Sequence, residues 1–361
     1  MTINPLIIRD VTARAVVSPI SRPVRTAVGT IPAAPLVLLD VTTEEGVTGR
    51  SYLFGYTPTS LLPLVKLVEQ LAPDLKGQRV VPWKLMRDFD LRFRLLGLQG
   101  LLGMVVSGLD MAFWDILGKA ADMPVVQLLG GLPTALRAYD SYGVVDIRAD
   151  EHEIRRTLDS GFKGIKIKLG DADLAKDIES VRGVREMIGP DIALMVDYNQ
   201  SLTPAEACRR IERLREFDLH WVEEPVSAQD LQGHARVRES TGVRIQTGEN
   251  WWFPRDMQRA ISANACDFAM PDIMKIGGVT GWTAAAALAD AASLPVSSHL
   301  FVEASAHMLA VTPTFHWLEY LDFAGAILEE RQEVVDGTVT ARGPGLGMNW
   351  NEEAVERYRV K

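Results

Sequence analysis

The sequence has only two cysteines, no long apolar run and few positive charges. Cys208 and Cys266 are too few for a disulfide framework, and neither lies in a CxxC pair or a cluster with metal-ligand spacing. No stretch reaches about 18 uninterrupted apolar residues, the length that a membrane span needs. The N-terminus MTINPLIIRD carries a proline and a charged pair where a signal peptide would have its apolar core. We therefore expect a cytoplasmic protein that does not act on a membrane.

Two further absences concern ligands. The sequence contains no GxGxxG turn and no P-loop, the glycine-rich motifs that bind nucleotide phosphates. Its 38 basic residues are outnumbered by 47 acidic ones, which gives a net charge of -9. This balance argues against nucleic acid or an anionic membrane as the main partner, since both attract basic proteins. What remains is an ordinary globular composition: 361 residues, 47% of them apolar, are enough for a large core and two domains.

The first third of the chain mixes strands and helices. Residues 6–17 and 36–42 read as strands, and EEGVTG after the second predicts a hairpin turn. Three helical patterns follow, with apolar residues at every third or fourth position: LLPLVKLVEQLAPDL, WKLMRDFDLRFRLLG and LLGMVVSGLDMAFWDILGKAA. These elements predict an α+β block that ends near residue 125.

From about residue 135, short apolar runs alternate with amphipathic helical segments, which predicts parallel strands joined by helical crossovers. An ionisable residue marks the end of each run, at gaps of 29, 26, 26, 23 and 27 residues by subtraction of consecutive positions: Lys168, Asp197, Glu223, Glu249, Asp272 and His299. This period is the layout of a parallel β/α barrel, whose active site lies at the carboxyl ends of the strands. A doubly wound open sheet is the main alternative, but it would concentrate its ligand groups at one switch point.

Three consecutive strand ends carry carboxylates, namely Asp197, Glu223 and Glu249. Together they would repel one another, and a divalent cation with oxygen ligands relieves that repulsion. Carboxylate ligands without histidine or cysteine favour magnesium over zinc. The alternative is that each carboxylate is solvated or paired with a basic neighbour. In the EEP motif, strand alternation lets only one of Glu223 and Glu224 point inward and does not say which.

The strand GIKIKLG places Lys166 and Lys168 on the same face, because they are two residues apart. We expect one lysine to pair with the carboxylate of a small anionic substrate. The other, with its proton affinity lowered by its neighbour and the cation, acts as a base. A hydrogen bond between Asp272 and His299 would leave the second histidine nitrogen as a proton acceptor. Glu319, at the next strand end, is a candidate acid or hydrogen-bond donor. The set predicts abstraction of the proton next to a carboxylate.

The sequence resembles the enolase superfamily and, within it, the mandelate racemase subgroup. The resemblance rests on motifs ordered along essentially the whole chain: PVRTAVGTIPAAPLVLLD, SYLFGYTP, KIK, MVDYNQS, WVEEP, GENW, MPDIMKIGGVTGW, SSHLF and HWLEYLD. It implies a (β/α)7β modified TIM barrel with an N-terminal α+β capping domain. The expected boundaries are 1–128 for the capping domain with its substrate flap, 129–325 for the barrel, and 326–361 for a segment that packs back on the capping domain.

The resemblance also implies roles for the polar residues. It selects Glu223 as the metal ligand of the EEP motif, beside the other two carboxylates. Lys168 and His299 become bases on opposite faces of the substrate's α-carbon. Lys166, Glu319 and the magnesium ion become partners of the substrate carboxylate. The resemblance further implies a homo-oligomer, an octamer.

Further residues are implied to contact the substrate. Ser141, in YDSYG, is expected to hydrogen-bond the substrate carboxylate, and Asn199 is expected near the α-hydroxyl. The α-substituent would lie under the flap against an apolar lining: Val24, Ile31, Phe54, Tyr56, Leu300 and Leu321. Arg25 departs from the resemblance, because it stands where the subgroup's racemase has a histidine.

Three functions remain open. The first is racemisation of an aromatic α-hydroxy acid such as mandelate, by 1,1-proton transfer through an enolate intermediate. The second is dehydration of a sugar acid, in which His299 would protonate the departing β-hydroxyl. The apolar lining favours the first, since a sugar acid needs hydrogen bonds to each buried hydroxyl. The third is a non-catalytic metal-binding barrel. The sequence argues against it, because none of the expected catalytic residues is missing.

Overall fold

The computed structural model describes residues 5–26 and 29–360. The capping domain begins with an antiparallel sheet in the order β1-β2-β3, formed by β1 (Ile8–Thr26), β2 (Gly29–Thr43) and β3 (Thr48–Phe54). Four helices then pack beside it: α1 (Leu61–Leu75), α2 (Pro82–Arg92), α3 (Gly100–Ala120) and α4 (Val125–Leu128). The flap is the far end of the β1–β2 hairpin.

Helix α3 lies in the centre of the capping domain. It packs closely on β3, because Gly49 has no side chain: a Cβ there would lie 2.1 Å from the carbonyl oxygen of Ala112. Among the described residues, α3 is the one helix long and apolar enough to cross a membrane, yet 83% of its most apolar window is buried inside the protein. Its apolar surface is therefore core.

The barrel strands are parallel and follow each other in sequence order: β4 (Leu136–Ser141), β5 (Gly164–Lys168), β6 (Ala193–Asp197), β7 (Trp221–Glu223), β8 (Ile245–Thr247), β9 (Phe268–Ala269) and β10 (Leu318–Tyr320). Segment 295–299 closes the ring, since Val296 bridges to Ala269 on one side and to Phe315 on the other. Strand β10 then pairs with β4. The predicted (β/α)7β fold class is confirmed.

The crossover helices lie between these strands: α5 (Ile147–Asp159), α6 (Leu174–Ile188), α7 (Pro204–Leu214), α8 (Leu231–Thr241), α9 (Phe253–Ser262), α10 (Gly278–Ala291) and α11 (Val302–Ala310). Helices α6 and α7 carry the amphipathic patterns read from the sequence, whereas α11 is buried over nearly its whole length. Because every strand runs in the same direction, the carboxyl ends of all strands meet at one mouth of the barrel. The residues that end the strands therefore face each other there.

Contacts between α3 and α10 join the two domains. The carboxylate of Asp110 accepts hydrogen bonds from the backbone nitrogen of Thr280 at 2.8 Å and from its hydroxyl at 2.6 Å. The indole nitrogen of Trp114 donates to the same hydroxyl at 2.9 Å. Asp110 thus satisfies donors in the first turn of α10, which have no partner within the helix.

The C-terminal segment touches both domains. Its strand β11 (Thr338–Val339) pairs antiparallel with β4 of the barrel, and its helix α12 (Glu352–Tyr358) packs on β1. The backbone nitrogen of Val360 donates to the carbonyl of Ala15 at 2.9 Å, and the guanidinium of Arg14 pairs with Glu352. The last residues of the chain therefore complete a surface made by the first strand.

Two histidines close the amino-terminal end of the barrel. The Nε2 atoms of His220 and His316 lie 3.3 Å apart, and the indole nitrogen of Trp317 donates to His220 at 3.3 Å. Burial, together with the charges of Arg244 and Arg137, lowers the pKa of His220 to about 4. Burial, together with the neighbouring His220 and the same two arginines, lowers the pKa of His316 to about 3. Both histidines are consequently neutral in the folded protein at neutral pH.

This pair predicts a loss of stability in mild acid. Below pH 6.5 the unfolded chain binds protons that folded His316 excludes, so the free energy of unfolding falls as the pH falls, by about 1.4 kcal/mol per pH unit for one proton. We expect the variant His316→Asn to lose this part of the pH dependence between pH 6.5 and 4.5. Urea unfolding at several pH values measures it, with exposed His152→Asn as the control. An unchanged slope in His316→Asn would contradict the prediction.

Candidate active site

Three carboxylates meet at the mouth of the barrel. Asp197 ends β6, Glu223 ends β7, and Glu249 follows β8 by two residues. Each contributes an oxygen to a group whose atoms all lie within 4.8 Å of one another, and all three residues are buried. The spacing results from the parallel strands, whose adjacent ends place consecutive acids side by side.

The donor set fits magnesium. The three ligand groups are carboxylates, with no thiolate or imidazole among them, which is the chemistry of a hard divalent cation. Burial, with repulsion from Asp197, raises the pKa of Glu223 to about 7 in spite of the nearby Lys166. The second oxygen of Glu223 accepts hydrogen bonds from Trp221 and Gln246, both at 3.1 Å, which fix its orientation.

Alternation does not hold at Glu224. Both glutamate side chains of the EEP motif are completely buried, although only Glu223 belongs to the cluster of ligand groups. Glu224 has a left-handed φ of 35°, which ends the strand geometry directly after Glu223. Its Oε2 accepts a hydrogen bond from Asn250 at 2.8 Å, whereas the cluster within 4.8 Å contains Glu223. Burial, then repulsion from Glu249, raises the pKa of Glu224.

Lys166 lies between two carboxylates. Its Nζ is 2.5 Å from Glu223 and 2.8 Å from Glu319, and the side chain is 1% exposed. Burial lowers its pKa, but Glu223 and Glu319 together raise it by more, so that the pKa lies well above its usual range. A buried ammonium is tolerated here because it is paired on both sides.

Lys168 contacts one end of the carboxylate cluster, and His299 contacts the other end. The Nζ of Lys168 donates to Asp197 at 2.6 Å and to the side-chain oxygen of Asn199 at 2.7 Å. The expectation of a lowered pKa is not met in these surroundings. Burial and Lys166 do lower the pKa, but Asp197, with a further contribution from Glu249, raises it above the usual value.

His299 forms the predicted pair with Asp272. Its Nδ1 lies 2.7 Å from Asp272, whose other oxygen accepts from the backbone nitrogen of Met274 at 2.7 Å. Its Nε2 lies 3.2 Å from Glu249, at the other end of the carboxylate cluster from Lys168. Burial lowers the pKa of His299, but Glu249 and the hydrogen bond with Asp272 raise it to about 9.

The surroundings of Glu319 do not favour the predicted role of a proton donor. Burial raises its pKa, but the adjacent ammonium of Lys166, together with His299, lowers it to about 2. Its ionised carboxylate accepts a hydrogen bond from the backbone nitrogen of Leu300 at 2.9 Å. In these contacts Glu319 is an acceptor and a counter-ion, because barrel closure brings β10 within reach of β5.

Ser141 and Asn199 border the same space. Ser141 ends β4 and pairs in register with Lys166 on β5. Asn199 donates from its backbone to one oxygen of Asp197 at 2.7 Å and from its side chain to the other at 2.9 Å. Asn199 therefore links the aspartate to Lys168 and fixes their separation.

The capping domain covers this mouth with apolar side chains. Val24 and Ile31 face each other across the β1–β2 hairpin, the first buried and the second half-buried. The ring of Phe54 packs on Tyr56 and on Phe323, each with a centroid distance of 4.6 Å. Tyr56 is 39% exposed and forms the rim.

The two leucines from the barrel have different surroundings. Leu300 is buried and has a left-handed φ of 49°, which turns its backbone nitrogen toward the site. Leu321 lines a cavity of about 650 Å³ whose walls include Arg22, Asp140 and Arg331. The surroundings of Leu321 are therefore more polar than the apolar pocket expected from the sequence.

A buried lysine that the sequence analysis did not identify adjoins the cluster. The Nζ of Lys275 donates to Asn250 at 2.7 Å and lies 4.8 Å from the ring centroid of Tyr56. Asn250 in turn donates to Glu224 at 2.8 Å and to Glu249 at 3.3 Å. The signal in the sequence was a charged residue within the otherwise apolar stretch IMKIGGV.

Comparison with known protein families matches both parts of the chain. Residues 8–130 match the N-terminal domain of mandelate racemase and muconate lactonizing enzyme, and residues 149–354 match the enolase C-terminal domain-like family. The chain belongs to the mandelate racemase and muconate lactonizing enzyme family of the enolase superfamily. This confirms the resemblance seen in the sequence.

Relatives within this family have several activities. The crystal structure of an enolase from Bradyrhizobium, complexed with magnesium and mandelic acid, is 59% identical, covers 100% of both chains and has a TM-score of 0.98. The 3,6-anhydro-α-L-galactonate cycloisomerase of Streptomyces coelicolor is 31% identical over 90% of this chain and 91% of its own. The L-talarate/galactarate dehydratase of Salmonella typhimurium is 31% identical over 72% of this chain and 66% of its own.

These findings make the protein a magnesium-dependent enzyme of the enolase superfamily. Several solved relatives contain bound magnesium, and the three carboxylates of this chain form a matching set of ligand groups. The alternative of a non-catalytic metal-binding barrel is therefore set aside. Isomerases, epimerases and dehydratases all occur among the relatives, so the reaction has to be argued from the residues of this chain.

Proposed function

We propose that this protein racemises an aromatic α-hydroxy acid such as mandelate. The observation that carries the proposal is the position of two basic side chains at the two ends of the carboxylate cluster. Lys168 contacts Asp197 at 2.6 Å, and His299 contacts Glu249 at 3.2 Å. A substrate carboxylate held beside the cluster would have one base on each side of its α-carbon. The relative bound to mandelic acid, at 59% identity, supports this substrate class.

The proposed reaction divides proton transfer between the two bases. Lys168 removes the α-proton from one enantiomer, and His299 delivers a proton to the opposite face; the reverse reaction exchanges the roles. Asp272 holds Nδ1 of His299 at 2.7 Å, so that Nε2 faces the substrate side. The ammonium of Lys166 faces the same space and offers a positive charge to the substrate carboxylate.

Asp197, Glu223 and Glu249 would hold the magnesium ion. When bound there, the ion supplies positive charge where negative charge develops as the α-proton leaves. Asn199, bonded to both oxygens of Asp197, orients that ligand. We assign the substrate carboxylate to Ser141, Lys166, Glu319 and the ion, and the α-hydroxyl to Asn199, as the family resemblance implies.

The flap lining supports an aromatic substituent. Val24 and Phe54 are buried apolar residues, and Ile31 packs against the same core. A phenyl ring would replace water against these surfaces without leaving an unpaired polar group, whereas the hydroxyls of a sugar acid need partners. Tyr56 lies at the rim, and its side chain hydrogen-bonds Lys275.

Dehydration of a sugar acid is the second candidate. The observation that favours it is the identity with curated relatives that act on sugar acids, 31% in two cases. The same side chains serve that reaction if Lys168 removes the α-proton and His299 protonates the β-hydroxyl as it leaves.

Proton NMR in heavy water separates the two candidates. Purified protein with magnesium is incubated with each enantiomer of mandelate and with a panel of sugar acids. We expect the α-proton signal of both mandelate enantiomers to disappear while optical rotation falls to zero. Loss of a β-hydroxyl and appearance of a keto product from a sugar acid, without reaction of mandelate, would favour dehydration and contradict the proposal.

The flap gives a prediction about substrate preference. In Val24→Thr a buried hydroxyl without a partner would face the aromatic ring, at a cost of about 1 to 3 kcal/mol. We expect kcat/KM for mandelate to fall roughly tenfold, with a smaller loss for a small aliphatic hydroxy acid. Steady-state kinetics on both substrates measure the ratio. The matched control is Val81→Thr, at an exposed valine of the same domain.

Equal losses on both substrates in Val24→Thr would place the α-substituent elsewhere.

The cytoplasmic location and the homo-oligomer expected from the sequence stay predictions. Gel filtration with light scattering checks the second of them.

A further inference from the structure

The far end of the flap is attached to the barrel through one arginine. Arg25 lies next to Val24 in β1 and pairs with Thr30 across the hairpin. Its Nε donates to the carbonyl of Val144 at 2.9 Å, and the backbone nitrogen of Val144 donates to the carbonyl of Arg25 at 2.7 Å. Its guanidinium also pairs with Asp150 of α5. Side chain and backbone of one flap residue thus bind the same barrel loop.

The barrel loop is shaped for this contact. At Gly143 an added Cβ would lie 2.3 Å from the carbonyl oxygen of Arg25 and 2.4 Å from its nitrogen, so any other residue would push the flap away. Asp150, besides pairing with Arg25, accepts a hydrogen bond from the backbone of Asp146 at 2.8 Å. The acceptor is therefore held in position before it meets the guanidinium.

A second arginine fixes the base of the flap. Arg22 donates to Asp140 at 2.8 Å and to the carbonyl of Ser141 at 2.8 Å. Its guanidinium lies 3.5 Å from the ring centroid of Tyr142. The flap is consequently attached to consecutive residues of the strand end that carries Ser141. Arg25 provides a further attachment, nearer the tip.

The same loop is bonded to the strand that carries the two lysines. The backbone nitrogen of Tyr142 donates to the carbonyl of Lys166 at 2.8 Å, and that of Lys168 donates to the carbonyl of Gly143 at 3.2 Å. A change in the flap's attachment is therefore transmitted to the loop beside the proposed base. The flap, the loop and β5 form one hydrogen-bonded unit.

We propose that Arg25 is a positioning residue that holds the flap against the barrel loop 142–146, and so sets the height of Val24 and Ile31 above the substrate. Arg25 does not touch the reacting atoms; it acts through the residues beside it. Only the kinetic part of the test below rests on the proposed racemase function.

Kinetics with mandelate measure the effect on the substrate. In Arg25→Met we expect KM to rise roughly tenfold while kcat changes less than about twofold, since binding must now order the flap. The KM of Arg25→Lys should lie between those of the wild type and Arg25→Met, because one ammonium cannot bond Val144 and Asp150 as the guanidinium fork does. Asp150→Asn should raise KM, and adding it to Arg25→Met should raise KM no further. Arg9→Met, at an exposed arginine of the same strand, is the control.

Hydrogen exchange tests the attachment without any substrate. The peptide spanning 142–146 should exchange faster in Arg25→Met than in the wild type or Arg9→Met, because the amide of Val144 loses its stable acceptor. Unchanged exchange overturns the proposal, and so does faster exchange with an unchanged KM. If the wild type does not turn over mandelate, the racemase proposal fails by itself, and exchange alone then decides whether Arg25 holds the flap.

Discussion

Replacing His299 with asparagine is expected to abolish racemisation while leaving one half of the reaction intact. The variant keeps Lys168, which faces one side of the α-carbon, and should exchange the α-proton of a single enantiomer with solvent deuterium. The family resemblance implies that this is the S enantiomer. The loss of racemisation should reach about 10² to 10⁴-fold or more, the usual contribution of one acid–base group. Lys168→Ala should show the opposite selectivity.

Proton NMR in heavy water, started from each pure enantiomer, measures these rates. Asp272→Asn should resemble His299→Asn, because an imidazole without its carboxylate partner loses orientation and basicity. The control is His152→Asn, on the exposed face of α5, which should racemise both enantiomers at the wild-type rate. If His299→Asn exchanged both enantiomers equally, the assignment of the two bases to opposite faces would be wrong.

Replacing Glu223 with glutamine is expected to remove magnesium binding and activity together. The substitution keeps the shape of the side chain but takes one negative charge and one ligand oxygen from the cluster. Changes beside metal ligands typically cost 10- to 100-fold in affinity, and we expect the loss of a ligand to exceed about 100-fold. Glu224→Gln should cost much less, since the Oε2 of Glu224 bonds Asn250.

Calorimetric titration of the metal-free proteins with magnesium gives the affinities of Glu223→Gln and Glu224→Gln for the ion. Chelation should abolish turnover of the wild type, and added magnesium should restore it. An exposed surface variant, Glu212→Gln, controls for the change in net charge. Full turnover after removal of the metal would refute magnesium dependence of the reaction, and equal losses in the two glutamate variants would mean that four carboxylates share the ion.

The barrel could be predicted because its strand ends recur at a nearly constant interval. Asp197 and Glu249 needed only the knowledge that parallel strands end side by side, whereas the choice of Glu223 over Glu224 also needed the family resemblance. The structure places the oxygens of Asp197, Glu223 and Glu249 within 4.8 Å of one another. The pairing of Asp272 with His299 followed from the same reasoning and has the predicted hydrogen bond. Helix α1 was equally accessible, since its apolar positions repeat with the helical period.

The remaining features depend on contacts that a sequence period does not contain. Lys166 and Glu319 are far apart in sequence and meet only because β10 closes the ring against β4. The left-handed backbone of Glu224 is a local exception to strand alternation. Lys275 follows its strand within a loop, where no period applies. Strand β1 extends to Thr26, beyond the predicted residue 17, because the flap is built from its far end.

The contact between the two ends of the chain has a consequence for synthesis. Val360 bonds Ala15, and Glu352 pairs with Arg14 across 338 positions of sequence. A ribosome adding roughly 5 to 20 residues per second needs about 20 to 70 seconds to travel from Ala15 to Val360. Throughout that interval the outer face of β1 lacks its final cover, even after the barrel has emerged. We therefore expect part of β1 to stay uncovered in the nascent capping domain until α12 has left the ribosome.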